Sequence, residues 1–262
     1  MPVIPSPVDG IDLRYDVTGS GPALVLLHGA VLTRAIWRGL GHLEPLAAQH
    51  TVIRMDLRGH GRSGAPHDPA HYTPERFVGD LWGVLEAEGL ERAALMGYSL
   101  GARIALAAAL EHPGRITRLV SLGGTASAQR GQVDAVFFPG VIDAVREGGM
   151  EAFCAGQGLG PDVDSRRGRA TRAAFLAADP RAVTALLTAT DATPGVPDDV
   201  LAACPVPALW MAGTEDHPRF EESRRAARLM PDADFVPLPG RDHGGTLFPP
   251  GAILEHALSF LR

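Results

Sequence analysis

The chain has 262 residues, 45% of them hydrophobic and 21% charged, with a formal net charge of −6. That length and balance fit one large α/β domain, or such a core carrying an insertion, and exclude a disordered or fibrous chain. All 24 basic residues are arginine and lie scattered, so no basic stripe offers itself to nucleic acid, and no apolar run approaches the roughly 20 residues that cross a bilayer.

In chain order, Met1 to Pro7 shows neither the basic nor the apolar region of a signal peptide, so a cytoplasmic protein is expected. Residues 8–18 read as a hairpin turning at Asp9-Gly10. Ala23–Leu27 and Val52–Met55 are continuous apolar runs of the kind buried on both faces of a parallel sheet, and a Gly-rich turn, Arg58 to Gly64, follows the second. Thr73-Pro74-Glu75 opens a helix with a hydroxyl N-cap and a proline at the first position. Its apolar residues, Phe77, Val78, Leu81, Val84 and Leu85, recur at helical spacing until Gly89.

Ala93–Met96 reads as a strand, Leu100 to Glu111 as a helix stopped by His112-Pro113-Gly114, and Ile116–Leu122 as a further strand. Residues 129–195 then lose the strand signal and read as short helices. Strand character returns at Pro207–Met211 and Asp234–Leu238, and Ile253–Leu261 closes the chain as a helix. The expected organisation is an α/β core in two parts, residues 1–128 and 196–262, with a helical cap at 129–195 between them.

Gly97-Tyr98-Ser99-Leu100-Gly101 matches G-x-S-x-G between a strand and a helix, the setting of a nucleophile elbow. The serine must sit on a sharp turn, and side chains at the two flanking positions would collide with the neighbouring strand and helix. Glycine removes both clashes. The helix beginning at Leu100 turns its free N–H groups and positive dipole end toward that serine.

Upstream, Leu26-Leu27-His28-Gly29-Ala30 ends a strand in a His-Gly turn, and Asp56-Leu57-Arg58-Gly59-His60-Gly61-Arg62-Ser63 follows the next. With the serine motif, these stretches resemble the serine-nucleophile branch of the α/β-hydrolase superfamily, in which esterases, enol-lactonases and cofactor-free haloperoxidases fall. The resemblance implies a mostly parallel sheet with helices on both faces. It also implies an oxyanion hole from the amides of Ala30 and Leu100, and the chain order nucleophile, acid, histidine.

Gly213-Thr-Glu-Asp216, after an apolar strand, resembles the family's acid turn and points to Asp216, with Glu215 as rival; Gly123-Gly124, the alternative acid position, carries no carboxylate. His243 stands where the family places its base. Asp242 before it departs from the usual glycine and is a competing partner for the ring, and Gly244-Gly245 leaves the loop free to move. A triad Ser99, Asp216, His243 is therefore expected.

The remaining marked residues have structural readings beside functional ones. His28 and His60 are expected to bond backbone in tight turns, and Arg58 and Arg62 to brace their loop. Trp37, Phe137 and Phe138 are candidate pocket walls, although the phenylalanines, with Phe153, also suit a core within the cap. Arg103 completes a G-Y-S-x-G-x-R stretch similar to that of the MenH-like menaquinone-pathway synthases, where the arginine helps hold an anionic substrate; otherwise it pairs on the helix surface. Cys154 and Cys204 are too far apart for a metal knuckle or a redox pair, and no metal or cofactor is implied.

A serine nucleophile points to hydrolysis of a small carboxylic ester or lactone through an acyl-enzyme. The epoxide hydrolases and haloalkane dehalogenases of this superfamily use aspartate there. A MenH-like lyase, a C–C bond hydrolase, and a small-ligand receptor with slow vestigial hydrolysis are the alternatives.

Overall fold

The apolar runs become strands because a parallel sheet covered on both faces can bury every side chain of a strand. The computed structural model describes residues 2–262. In chain order the elements are β1 (Val3–Pro5), β2 (Asp12–Thr18), β3 (Ala23–Leu27), α1 (Ala35–Gly39), α2 (Leu43–Ala47), β4 (Thr51–Asp56), α3 (Pro74–Ala87), β5 (Ala93–Tyr98), α4 (Leu100–Glu111) and β6 (Ile116–Leu122). There follow α5 (Gln132–Val136), α6 (Val141–Gly156), α7 (Arg166–Leu176), α8 (Pro180–Asp191), α9 (Asp198–Ala202), β7 (Ala208–Gly213), α10 (Arg219–Leu229), β8 (Ala233–Leu238) and α11 (Gly251–Phe260).

The eight strands form one sheet in the order β1-β2-β4-β3-β5-β6-β7-β8. β1 and β2 pair antiparallel, as do β2 and β4, and every other pairing is parallel. Alternation sorts the side chains. In β3, Val25 and Leu27 face α3, α4 and α10, whereas Leu24 and Leu26 face α1, α2 and α11. In β5, Ala93 and Leu95 join the first layer, and Ala94, Met96 and Tyr98 the second. Each fully buried leucine contributes roughly 1.5–3 kcal/mol, so the central strands anchor the loops at their carboxyl ends.

Three details differ from the sequence reading. The first hairpin strand lies at Val3–Pro5, ahead of the turn that contains Gly10. Pro2, Pro5 and Pro7 hide it, yet an edge strand tolerates proline. Thr73 begins α3 without a side-chain cap bond, leaving the fixed φ of Pro74 as the local start signal. α10 falls outside the expected elements, because the face it buries carries only Arg219, Ser223, Ala226 and Ala227 and no large apolar side chain.

Between β6 and β7 the helices α5 to α8 have a core of their own around Phe153, Phe175, Val141, Val183 and Leu187. Val31, from the loop after β3, belongs to the same cluster and ties this helical segment to the sheet. Cys154 and Cys204 are buried and unpaired. Among the described residues no helix is long and apolar enough to cross a membrane.

His28, His42 and His60 are buried at the ends of the strands and in the adjoining loops. Burial is the main cause that lowers the pKa of each below 6.5. They fold neutral, whereas the unfolded chain takes up their protons below about pH 6.5. Their contribution is therefore intact above that pH and is lost as pH falls below it, by up to about 1.4 kcal/mol per histidine per pH unit. The urea midpoint is expected to be clearly lower at pH 5.5 than at pH 7.5; equal midpoints would contradict this.

Candidate active site

β5 ends in a turn so tight that Ser99, the residue joining it to α4, adopts φ 53° and ψ −112°. A non-glycine residue there carries strain of order 1–3 kcal/mol. The surroundings enforce it: the Ser99 amide donates to the Leu122 carbonyl at 2.9 Å. A Cβ on Gly97 would lie 2.3 Å from the Gly101 oxygen, and one on Gly101 only 2.1 Å from the Leu27 oxygen. The two flanking glycines thus let α4 and β3 close on the turn.

Two loops from the far side of the chain complete the constellation. His243 Nε2 lies 2.9 Å from Ser99 Oγ, and its Nδ1 lies 2.9 Å and 3.1 Å from the two carboxylate oxygens of Asp216. Asp216, only 3% exposed, follows β7. With Nδ1–H donated to the carboxylate, Nε2 is left to accept the serine proton. Glu215 is exposed and faces Thr214, so it does not enter the relay. Asp242 does not compete for the ring, because its carboxylate accepts the Gly245 amide at 2.6 Å.

The Gly244-Gly245 stretch forms a 3-10 turn, in which Thr246 bonds the Asp242 carbonyl through both its amide and its hydroxyl. Tyr98 adds a further hold, donating its hydroxyl to the His243 carbonyl at 3.0 Å.

The Leu100 N–H is the first of α4 and has no carbonyl one turn back within the helix. Ala30 sits opposite, in the loop after β3. Among the described residues neither amide has a hydrogen-bond partner. The next residue, Val31, takes φ 62°, an uncommon conformation for a β-branched side chain, and its amide donates to His60 Nε2 at 3.1 Å. His60 Nδ1 donates in turn to the Arg58 carbonyl at 2.8 Å, and His28 Nε2 accepts the Leu57 amide.

Both histidines therefore bond backbone in their turns, as the sequence suggests. Arg58 is fully buried between Asp80 and Asp9. Arg62, by contrast, is exposed and braces through its amide, which donates to Asp56.

Ser99 opens on a cavity of about 30 Å³, lined by Ala30, Leu100, Val133, Phe137 and Leu187 among others. Space for a water or two is all that this leaves. Of the candidate walls only Phe137 and Arg103 line it. Trp37 is fully buried on the opposite face of the sheet, against His42 and Leu43, so its place in a pocket wall is corrected to core. Phe138 is likewise corrected: it packs on Phe153 and Gly156 and does not line the cavity.

Arg103 lines the cavity while donating to the Thr125, Ser127 and Pro194 carbonyls, which staples α4 to the ends of the helical segment. The sequence reading missed the wall residues Gln129, Val133, Val136, Leu187, Thr190 and Arg219; the charged one among them is Arg219, at the start of α10 and only 5% exposed. Its single signal in the sequence is its place three residues after Asp216. Among the described residues no group of three or more His, Cys, Asp or Glu side chains is placed to hold a metal.

Comparison with known proteins agrees with this layout. A family signature described as "alpha/beta hydrolase fold" matches residues 22–148. An epoxide hydrolase of Caballeronia sordidicola is 35% identical over 158 residues, 60% of this chain and 45% of that protein. The chain spans less than half the length of the curated relatives it first matches. The enol-lactonase of Burkholderia xenovorans LB400 superposes with a TM-score of 0.82 at 25% identity, covering 99% of each chain. A thermophilic esterase from Thermogutta terrifontis gives 0.81 at 26%, covering 100% of this chain and 97% of that one.

The His60–Val31 bond can be tested by itself. His60→Ala leaves a buried amide without a partner, and a loss of about 1–3 kcal/mol in unfolding free energy is expected beyond that of the cavity. Chemical denaturation that shows no change would remove His60 from this role.

Proposed function

Because the chain belongs to the α/β-hydrolase superfamily, we propose that it is a serine hydrolase that cleaves a small carboxylic ester or lactone through an acyl-enzyme. The observation that carries the proposal is the continuous line from Asp216 through His243 to Ser99 Oγ, each link 2.9 Å at its closest. His243 Nε2 takes the serine proton as Oγ attacks the substrate carbonyl carbon. The negative charge that develops on the carbonyl oxygen is received by the Ala30 and Leu100 amides, fixed donors each worth roughly 3–4 kcal/mol of barrier.

Asp216 stabilises the imidazolium and keeps the proton of Nδ1 in place. The intermediate then collapses, the C–O bond breaks, and His243 gives its proton to the leaving alkoxide. Water, activated by the same ring, attacks the acyl group and restores Ser99.

Serine at position 99 argues against epoxide opening through a carboxylate nucleophile, despite the name of the Caballeronia relative. The enol-lactonase and the esterase, matched over almost the full chain, support the ester or lactone reading. The helices α5 to α8 act as the cap in this reading. α5 and α8 form one wall of the space beside Ser99, and Leu100, Arg103 and Thr190 also border a neighbouring pocket of about 240 Å³.

Steady-state hydrolysis of p-nitrophenyl acetate and butyrate tests the proposal. Sustained turnover is expected, lost on the order of 10⁴-fold in Ser99→Ala and at least 10²-fold in Asp216→Asn, with Glu215→Gln within about twofold of the parent. A single brief burst would instead indicate a ligand receptor. Activity retained by Asp216→Asn and lost in Glu215→Gln would overturn the acid assignment.

A further inference from the structure

The cavity beside Ser99 is lined by two arginines, Arg103 and Arg219, and by no aspartate or glutamate. Arg219 is buried and Arg103 half-buried, and enclosed cations are ordinarily matched by carboxylates. Arg103 has its guanidinium on three backbone carbonyls.

Arg219 is less well provided. Nη1 reaches Glu222 at 3.4 Å, Nη2 reaches Gln129 Oε1 at 3.1 Å, and its Nε–H is buried without a partner. A guanidinium has five donors in a planar fork suited to a carboxylate, and here one ordinary and one long bond engage it. Burial lowers the pKa of both arginines, that of Arg103 to about 10 with the Arg219 charge as a second cause.

We propose that Arg219 is a substrate-binding residue that receives a carboxylate on the substrate, so that the preferred ester or lactone is an anion with an apolar stretch between its carboxylate and its reacting carbonyl. The argument rests on the hydrolase reading above for the reacting group, but the anion site itself stands on Arg219. Val133, Val136, Phe137 and Leu187 supply apolar wall for the stretch between, in a lining that Ser99 and Arg219 share. Gln129, 1% exposed, holds the guanidinium through Oε1 until a carboxylate displaces that bond. The cationic charge of Arg103 adds to the attraction without a direct bond.

The test compares mono-p-nitrophenyl adipate with p-nitrophenyl hexanoate, esters of equal acyl length that differ in the terminal carboxylate. Wild type is expected to favour the adipate ester at least tenfold in kcat/KM. Arg219→Gln is expected to lower that preference by about 10- to 100-fold, and Arg219→Lys to recover part of it. Rates for the two esters that fall in equal proportion in Arg219→Gln would make Arg219 a structural brace and overturn the proposal.

Equilibrium binding of free adipate and hexanoate to Ser99→Ala protein, with and without Arg219→Gln, reads the anion site without turnover. Adipate is expected to bind at least tenfold tighter than hexanoate, and only while Arg219 is present. Equal binding of the two acids sinks the anion site. Selective adipate binding without cleavage of any ester retains the site and rejects the hydrolase reading.

Discussion

The strained turn at Ser99 is the constraint from which the rest of the site follows. A positive φ at a non-glycine residue persists only where neighbours leave no alternative. Here the neighbours are the backbones of β3 and α4, admitted to contact by Gly97 and Gly101, and the carbonyl of Leu122 on β6. The same turn that points Oγ at His243 also begins α4 and so leaves the Leu100 amide free beside it. The proposed nucleophile and the proposed oxyanion donor are thus consequences of one backbone geometry. The opposite donor depends on a second strained residue, Val31, held by a neutral histidine that burial keeps from charging.

Around that turn the buried polar groups divide into satisfied and unsatisfied sets. His28, His60, Arg58, Asp80 and Asp56 are bonded to backbone or to one another, and they set the loops at the carboxyl ends of β3 and β4. At the edge of the cavity Ala30 and Leu100 offer unpaired amides and Arg219 an unpaired Nε–H, while elsewhere the Nε1 of Trp37, Trp82 and Trp210 and the Nδ1 of His42 are also buried without a partner. The unpaired groups among the residues that line the cavity are all N–H donors, which suit a negatively charged oxygen. On this account oxyanion and substrate carboxylate meet different donors in the lining of the same cavity.

Much of this was legible in the sequence because parallel strands buried on both faces write themselves as uninterrupted apolar runs. β3, α4 and β6 fall at or within a residue of their expected ends, and Ser99, Asp216 and His243 follow from motif and chain order. Three features resisted. Trp37 stands near the Ala30 loop in sequence, but a helix one turn long rotates it into the core. Phe137 and Phe138 are adjacent and look equivalent, yet only one faces the cavity. Arg219 sits on a helix with little apolar signal and meets Gln129 across 90 positions of chain, a contact no local pattern encodes.

The central claim, that Ser99 is a nucleophile activated by His243, is open to one direct measurement. Folded protein is treated with diisopropyl fluorophosphate, and adduct mass and peptide position are read by mass spectrometry. One adduct per chain on Ser99, forming far more slowly in His243→Ala, is the predicted result. A folded protein that takes no label, or takes it on another residue, would contradict the account.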